Sequence, residues 1–152
     1  MRTITESLQS ITVTLWAGGL WAVGLVVAPL LFHNLPDRSQ AGVLAGLFFA
    51  VIAWIGLACG AYLILFRLAR FGAQAFRQMF FWTVLLMAVL VAAGQFGVQP
   101  IMVSLKEQAL PSEVMQSIFR DRFAAWHGVS SVLFLIECGL GLILVLQHGR
   151  GR

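Results

Sequence analysis

Charged residues along this chain are separated by long apolar stretches. None occurs between Glu6 and Asp37, between Arg38 and Arg67, or between Arg77 and Lys106, and from Phe123 to Gln147 only Glu137 interrupts. Each gap exceeds the roughly 20 apolar residues that a helix needs to cross a hydrocarbon core about 30 Å thick. The pattern predicts four spans, near residues 10–33, 42–66, 78–99 and 122–147. The expected fold class is an all-α integral membrane protein of one domain, residues 1–152. Short connections make successive helices antiparallel neighbours, which gives an up-down-up-down bundle.

The connections differ in character. "NLPDRSQAG" is a turn with Pro36, Asp37 and Gly42 as breakers. "RLARFGAQAFRQ" is basic and suits headgroups of anionic lipid. The third connection, "PIMVSLKEQALPSEVMQSIFRDRF", is longer, and Pro111 and Glu113 suit the first turn of a helix. Val114, Ile118 and Arg122 share one side of that helix, and Met115, Phe119 and Phe123 form an adjacent apolar row. Run unbroken from Pro111 into span 4, it would cover about 37 residues, or roughly 55 Å at 1.5 Å per residue. Its first turns would then project from the bilayer, and span 3 continuing past Pro100 would complete an outer helical extension.

Composition changes the picture little, and charge gives it a direction. The chain is 60% hydrophobic and 11% charged, far from the near-quarter charged share of a soluble domain. Its pI near 10.1 does not signal nucleic-acid binding, because the basic residues lie at span edges. With both termini cytoplasmic, Arg2, Arg67, Arg70, Arg77, Arg150 and Arg152 are inside, against Arg38, Lys106, Arg120 and Arg122 outside. Six against four favours that orientation. The leader "MRTITESLQS" lacks a signal-peptide pattern, so span 1 is expected to be retained. Cys59 and Cys138 fall inside spans and do not indicate a disulfide framework.

Aromatic and small residues suggest how the helices sit. Trp16, Tyr62 and Trp82 are expected at the inner boundary and Trp126 at the outer one, while Trp21 and Trp54 read as packing residues. Gly18, Gly19 and Gly24 in span 1, and Gly139 and Gly141 in span 4, permit close helix approach.

The candidate chemistry lies in span 4. At 3.6 residues per turn, His127, Ser130, Ser131 and Glu137 fall in one sector about 120° wide. That sector is expected to face the bundle, because a carboxylate facing lipid costs several kcal/mol. A protonated Glu137 donating to a carbonyl or to Gln95 of span 3 is the structural alternative to a ligand site. His33 and His127 share the outer leaflet, where a bis-histidine haem or metal pair is conceivable. Cys59, Met87 and Cys138 fall at similar depth on three helices, a soft-sulfur set that would suit Cu(I), though ordinary packing explains them more simply. No nucleophile–base–orienter set, phosphate loop or HExxH motif is present, so an enzyme ranks last.

"LWAGGLWAVGLVVAPLLFHNLPDRSQAGVLAGLFF" followed by "FAAWHGVSSVLFLIE" resembles a family of small bacterial four-helix membrane proteins of unknown function related to eukaryotic transmembrane protein 205. The resemblance rests on the Gly-Gly/Ala-Pro-x-Leu-Phe run, the "LPDR..AG" turn and the His-Gly-x-Ser-Ser opening of span 4. It implies a bacterial cytoplasmic membrane location and some role in metal or solute handling. His127, Gly128, Ser130 and Ser131 match the family pattern, whereas Glu137 and the cysteines do not. The family often has asparagine where this chain has Phe134, and its first span does not usually end in histidine.

Two functions lead. One is an accessory or assembly component, a homo-oligomer or subunit of a larger membrane complex, docking through glycine-rich faces or the outer extension. The other is a binder or carrier of a metal, haem or lipid that uses the polar face of span 4.

Overall fold

The computed structural model of the chain describes residues 4–110 and 112–150. Its α-helices are α1 (Ile4–Trp21), α2 (Ala28–Asn34), α3 (Arg38–Phe71), α4 (Met79–Ala92), α5 (Gln99–Ala109) and α6 (Arg120–Arg150). Wider π-helical turns, Ala22–Val27 and Ala93–Val98, join α1 to α2 and α4 to α5. Four rods result, Ile4–Asn34, Arg38–Arg77, Met79–Ala109 and Arg120–Gly149, each long and apolar enough to cross a membrane. α1 packs on α3 and α6, and α4 packs on the same two helices, so the rods form a four-membered ring. Leu25, Leu47, Leu65, Val89 and Leu135 are exposed on its outside, where lipid chains replace water.

Local chemistry sets the breaks. Asp37 caps α3, its side chain accepting from the Ser39 N–H at 2.8 Å. Gly72 ends α3 with φ of 52°, a left-handed value that favours glycine. Each π turn comes just before a proline, Pro29 or Pro100, in the first turn of the helix that follows. Proline has no N–H to give and its ring strikes the carbonyl four residues back, so a widened turn moves that carbonyl aside.

The third connection departs from the sequence expectation. The helix expected to open at Pro111 begins at Arg120, and Pro111 itself lies outside the described residues, as do Arg2 and Arg152. A short 3-10 turn, Val114–Gln116, precedes it. Ser117 breaks the run: its hydroxyl donates to the Val114 carbonyl and accepts from the Phe119 N–H. Such local bonds offer the backbone an alternative to the helix. The other part of the expected extension is present, as α5 carries the third rod past Pro100 to Ala109.

Trp16 is a second correction. It is not an interfacial anchor but lies at the centre of the core with 0% exposure. Its ring lies across Gly56 and Gly60 of α3, where an added Cβ would stand 2.6 Å and 3.1 Å from ring atoms. The spacing Gly-x-x-x-Gly on α3 makes the flat seat that so large a side chain requires. Trp54, read as a packing residue, is mostly exposed, with one edge against Phe96.

The two halves of the ring correspond. The π turns lie 71 positions apart (Ala22 to Ala93, Val27 to Val98), and so do their prolines. Shifted by 71, residues 12–29 repeat Thr12/Thr83, Val13/Val84, Leu15/Leu86, Ala17/Ala88, Ala22/Ala93, Val27/Val98 and Pro29/Pro100. Both threonines donate to the carbonyl four residues back. Shifted by 81, α3 maps onto α6, with Val51/Val132, Ile55/Ile136, Gly60/Gly141, Leu63/Leu144 and Leu65/Leu146 identical. Contacts follow the same rule. Gly60 faces Trp16 and Ala88, while Gly141 faces Met87 and Ala17. A two-fold rotation about the bundle axis, exchanging α1 with α4 and α3 with α6, would produce this pattern.

Candidate functional site

Under this correspondence Glu137 takes the place that Gly56 holds in the first half. Where Trp16 lies on Gly56 in the first half, the second half has the slimmer Met87 at the tryptophan position and Glu137 at the glycine position. Glu137 is 7% exposed and makes no hydrogen bond or ion pair among the described residues. On the same face of α6, Phe134 lies one turn toward its N-terminus and Gly141 one turn toward its C-terminus. Phe134 fills the notch left by Gly24 of the first π turn and meets Phe49 edge-on at 5.2 Å. Beside Glu137, the Trp21 indole N–H donates to the Cys138 carbonyl at 3.2 Å, tying α1 to α6. A buried carboxyl is thus held between an aromatic plug and a glycine contact.

The polar sector expected to face inward is divided. Ser130 is half-buried, but His127 and Ser131 are exposed. The reason lies in the first rod: beyond its π turn, α2 packs chiefly on α3, which leaves the N-terminal half of α6 uncovered on that side. Ser131 satisfies its hydroxyl within its own helix, donating to the His127 carbonyl at 2.9 Å. The His127 ring stacks on Phe123 (6.2 Å between centroids, 12° between planes), and Lys106 Nζ lies 5.5 Å from the Phe123 centroid.

Other candidates are dispersed. Gln95 is half-buried in the second π turn and makes no hydrogen bond to Glu137. His33 is exposed at the end of α2 and makes no contact with His127. Cys59 and Met87 belong to the core, whereas the half-buried Cys138 does not share it. Among the described residues no three His, Cys, Asp or Glu side chains converge as metal ligands would. The glycines separate as well. Gly19, Gly24 and Gly141 stand at close approaches to Ile52, Phe134 and Ala17, but Gly18 and Gly139 have nothing of the described chain within 4 Å of an added Cβ.

One polar group escaped sequence reasoning. At the end of the ring opposite His127, Gln9 of α1, Arg67 of α3 and His148 of α6 approach Phe80 of α4 or continue its layer. The Arg67 guanidinium lies 4.1 Å over the Phe80 ring, and the His148 ring is 6.3 Å from it. The Ser10 hydroxyl is 3.0 Å from His148 Nε2. The signal was present in the spacing: Gln9 continues the Val13–Trp16–Leu20 stripe, Arg67 the Gly56–Gly60–Leu63 stripe, and His148 the Glu137–Gly141–Leu144 stripe.

An apolar ring of four rods with a buried acid and a polar end defines a class, the small all-α membrane bundles. Within it, the chain belongs to the family described as a domain of unknown function (DUF4149), whose pattern matches residues 11–111. No curated protein and no solved structure matches it.

Proposed function

We propose that the protein is a non-enzymatic accessory or assembly component of the bacterial cytoplasmic membrane, both termini cytoplasmic, which docks onto a partner through its lipid-facing surface. The observation that supports this reading is the open space at Gly18 and Gly139, on neighbouring helices in the apolar part of the ring. In lipid, helices associate where small residues let backbones approach, and an unfilled small-residue surface suits a helix from outside the chain. His127 and Ser131, exposed on the same rod, add polar groups that gain from a partner.

The test is the native mass of the protein extracted from its own membranes in mild detergent. An assembly of defined stoichiometry that dissociates on Gly18→Leu or Gly139→Leu supports docking, whether the partner is a second copy or another protein. A monomer unchanged by either substitution removes the basis of the reading.

A second reading rests on Glu137. A buried carboxyl without a partner among the described residues suits a small-ligand binder or carrier, the role in solute handling that kinship with transmembrane protein 205 would imply. In that case Glu137→Gln abolishes retention of a co-purifying ligand and leaves the native mass unchanged.

A further inference from the structure

The Arg67 end of the ring carries polar atoms that the docking reading does not use. Arg67 donates through Nη1 to Gln78 Oε1 at 2.8 Å, and the Phe80 ring fixes its plane from 4.1 Å. Its Nε is buried and has no acceptor among the described residues. Gln9 is 8% exposed, and its Nε2 is likewise buried without an acceptor. The two residues face the same layer: Trp16 lies on Gly60, Val13 and Leu63 share the core one turn further, and Gln9 and Arg67 come next on the same two stripes. Gln147 of α6 has a buried unpartnered Oε1, and turning its amide over would offer a third donor.

Among the described residues no anion meets these donors. No acid occurs between Asp37 and Glu107, and Arg67, Arg70 and Arg77 have no carboxylate partner among the described residues. Glu6, the acid in the first turn of α1, is exposed. A guanidinium edge held in one plane beside a second buried donor is suited to an oxyanion, which accepts two parallel N–H bonds. The depth selects its source, since Arg67 ends the charge-free stretch that follows Arg38, a stretch long enough to cross a hydrocarbon core and so to reach the phosphates at its edge.

We propose that this end of the ring binds the phosphate of an anionic phospholipid between the Nε edge of Arg67 and the side-chain amide of Gln9. The site does not depend on which side of the membrane the termini occupy. It also does not depend on docking, because Gly18 and Gly139 lie elsewhere.

Native mass spectrometry of the full-length protein, with phosphatidylglycerol or phosphatidylcholine added to the detergent, tests the proposal. The wild type is expected to retain one phosphatidylglycerol and to hold phosphatidylcholine, whose choline cation opposes the charge of Arg67, about tenfold more weakly. Arg67→Lys keeps the charge but lacks the Nε edge, and should weaken retention about tenfold. Gln9→Leu should weaken it severalfold without changing charge, and carries the test if Arg67→Lys does not fold. Arg38→Gln, at the other end of α3, should leave retention unchanged. Equal retention of the two lipids, or undiminished retention by Arg67→Lys and Gln9→Leu, would overturn the proposal. Complete displacement of the lipid by millimolar inorganic phosphate would overturn it too, by making the free anion the ligand.

Discussion

Placing a single methyl group under Trp16 tests the packing logic of the ring. In Gly56→Ala the new Cβ would stand 2.6 Å from Trp16 Nε1 and 3.2 Å from Cδ1. Ordinary contacts are about 3.5–4.0 Å, so the overlap is close to 1 Å. The ring cannot retreat freely, because it is fully buried and its far edge already lies on Gly60. Overpacking of this kind costs ~1–3 kcal/mol. Alanine returns up to about 1 kcal/mol of helix propensity over glycine, which Gly18→Ala should collect without a clash. The informative quantity is therefore the difference between the two variants, expected to be ~1–3 kcal/mol, or roughly five- to 150-fold in the unfolding equilibrium. It is measured by titrating sodium dodecyl sulfate into mixed micelles and following helix content and tryptophan emission. Trp16→Phe, which removes the Nε1 edge, should recover much of the loss in the Gly56→Ala background. Equal stability of Gly56→Ala and Gly18→Ala would refute the account of α3 as a seat for this side chain.

Further outcomes follow from contacts between α1 and α6. Trp21→Phe removes the bond to the Cys138 carbonyl and should cost ~0.6–1.5 kcal/mol by the same titration, the range of interhelical hydrogen bonds in lipid. Gly24→Ala should be strongly destabilising alone and nearly harmless with Phe134→Ala, since the clash lies between those two side chains; additive effects would break the reasoning. Glu137→Leu replaces a buried group that lacks a hydrogen-bond partner among the described residues and should raise stability by ~1 kcal/mol. A loss of stability would reveal a partner for that carboxyl.

Charge spacing made the spans and their antiparallel order legible, because hydrocarbon tolerates so few charges that gaps between them measure span length. It could not reveal which side of a rod faces inward. His127, Ser131 and Glu137 share a sector of α6, yet burial depends on where α2 leads, and the π turn before Pro29 sends α2 onto α3. Gly18 and Gly19 are neighbours of identical chemistry, and only the placement of Ile52 separates a packed glycine from an open one. Trp16 was misplaced because tryptophan's preference for interfaces outweighed a clue further along, the Gly56–Gly60 pair. The Arg67 layer was readable from stripe positions, but arginines near a span edge are so often simple anchors that their depth in the ring did not stand out.

The repeat has a consequence for how such a ring can be built. A hairpin of two spans starts and finishes on one side of the membrane, so two hairpins placed side by side need no reversal of the charge bias that orients each. Two separate copies paired about the same two-fold axis would give a ring of this shape, and Gly72–Arg77, the turn linking the halves, tethers that contact within one chain. In a single chain the two seats need not match. One has a glycine beneath a tryptophan, and the other has Glu137, a single acid that a pair of identical hairpins would have to bear twice.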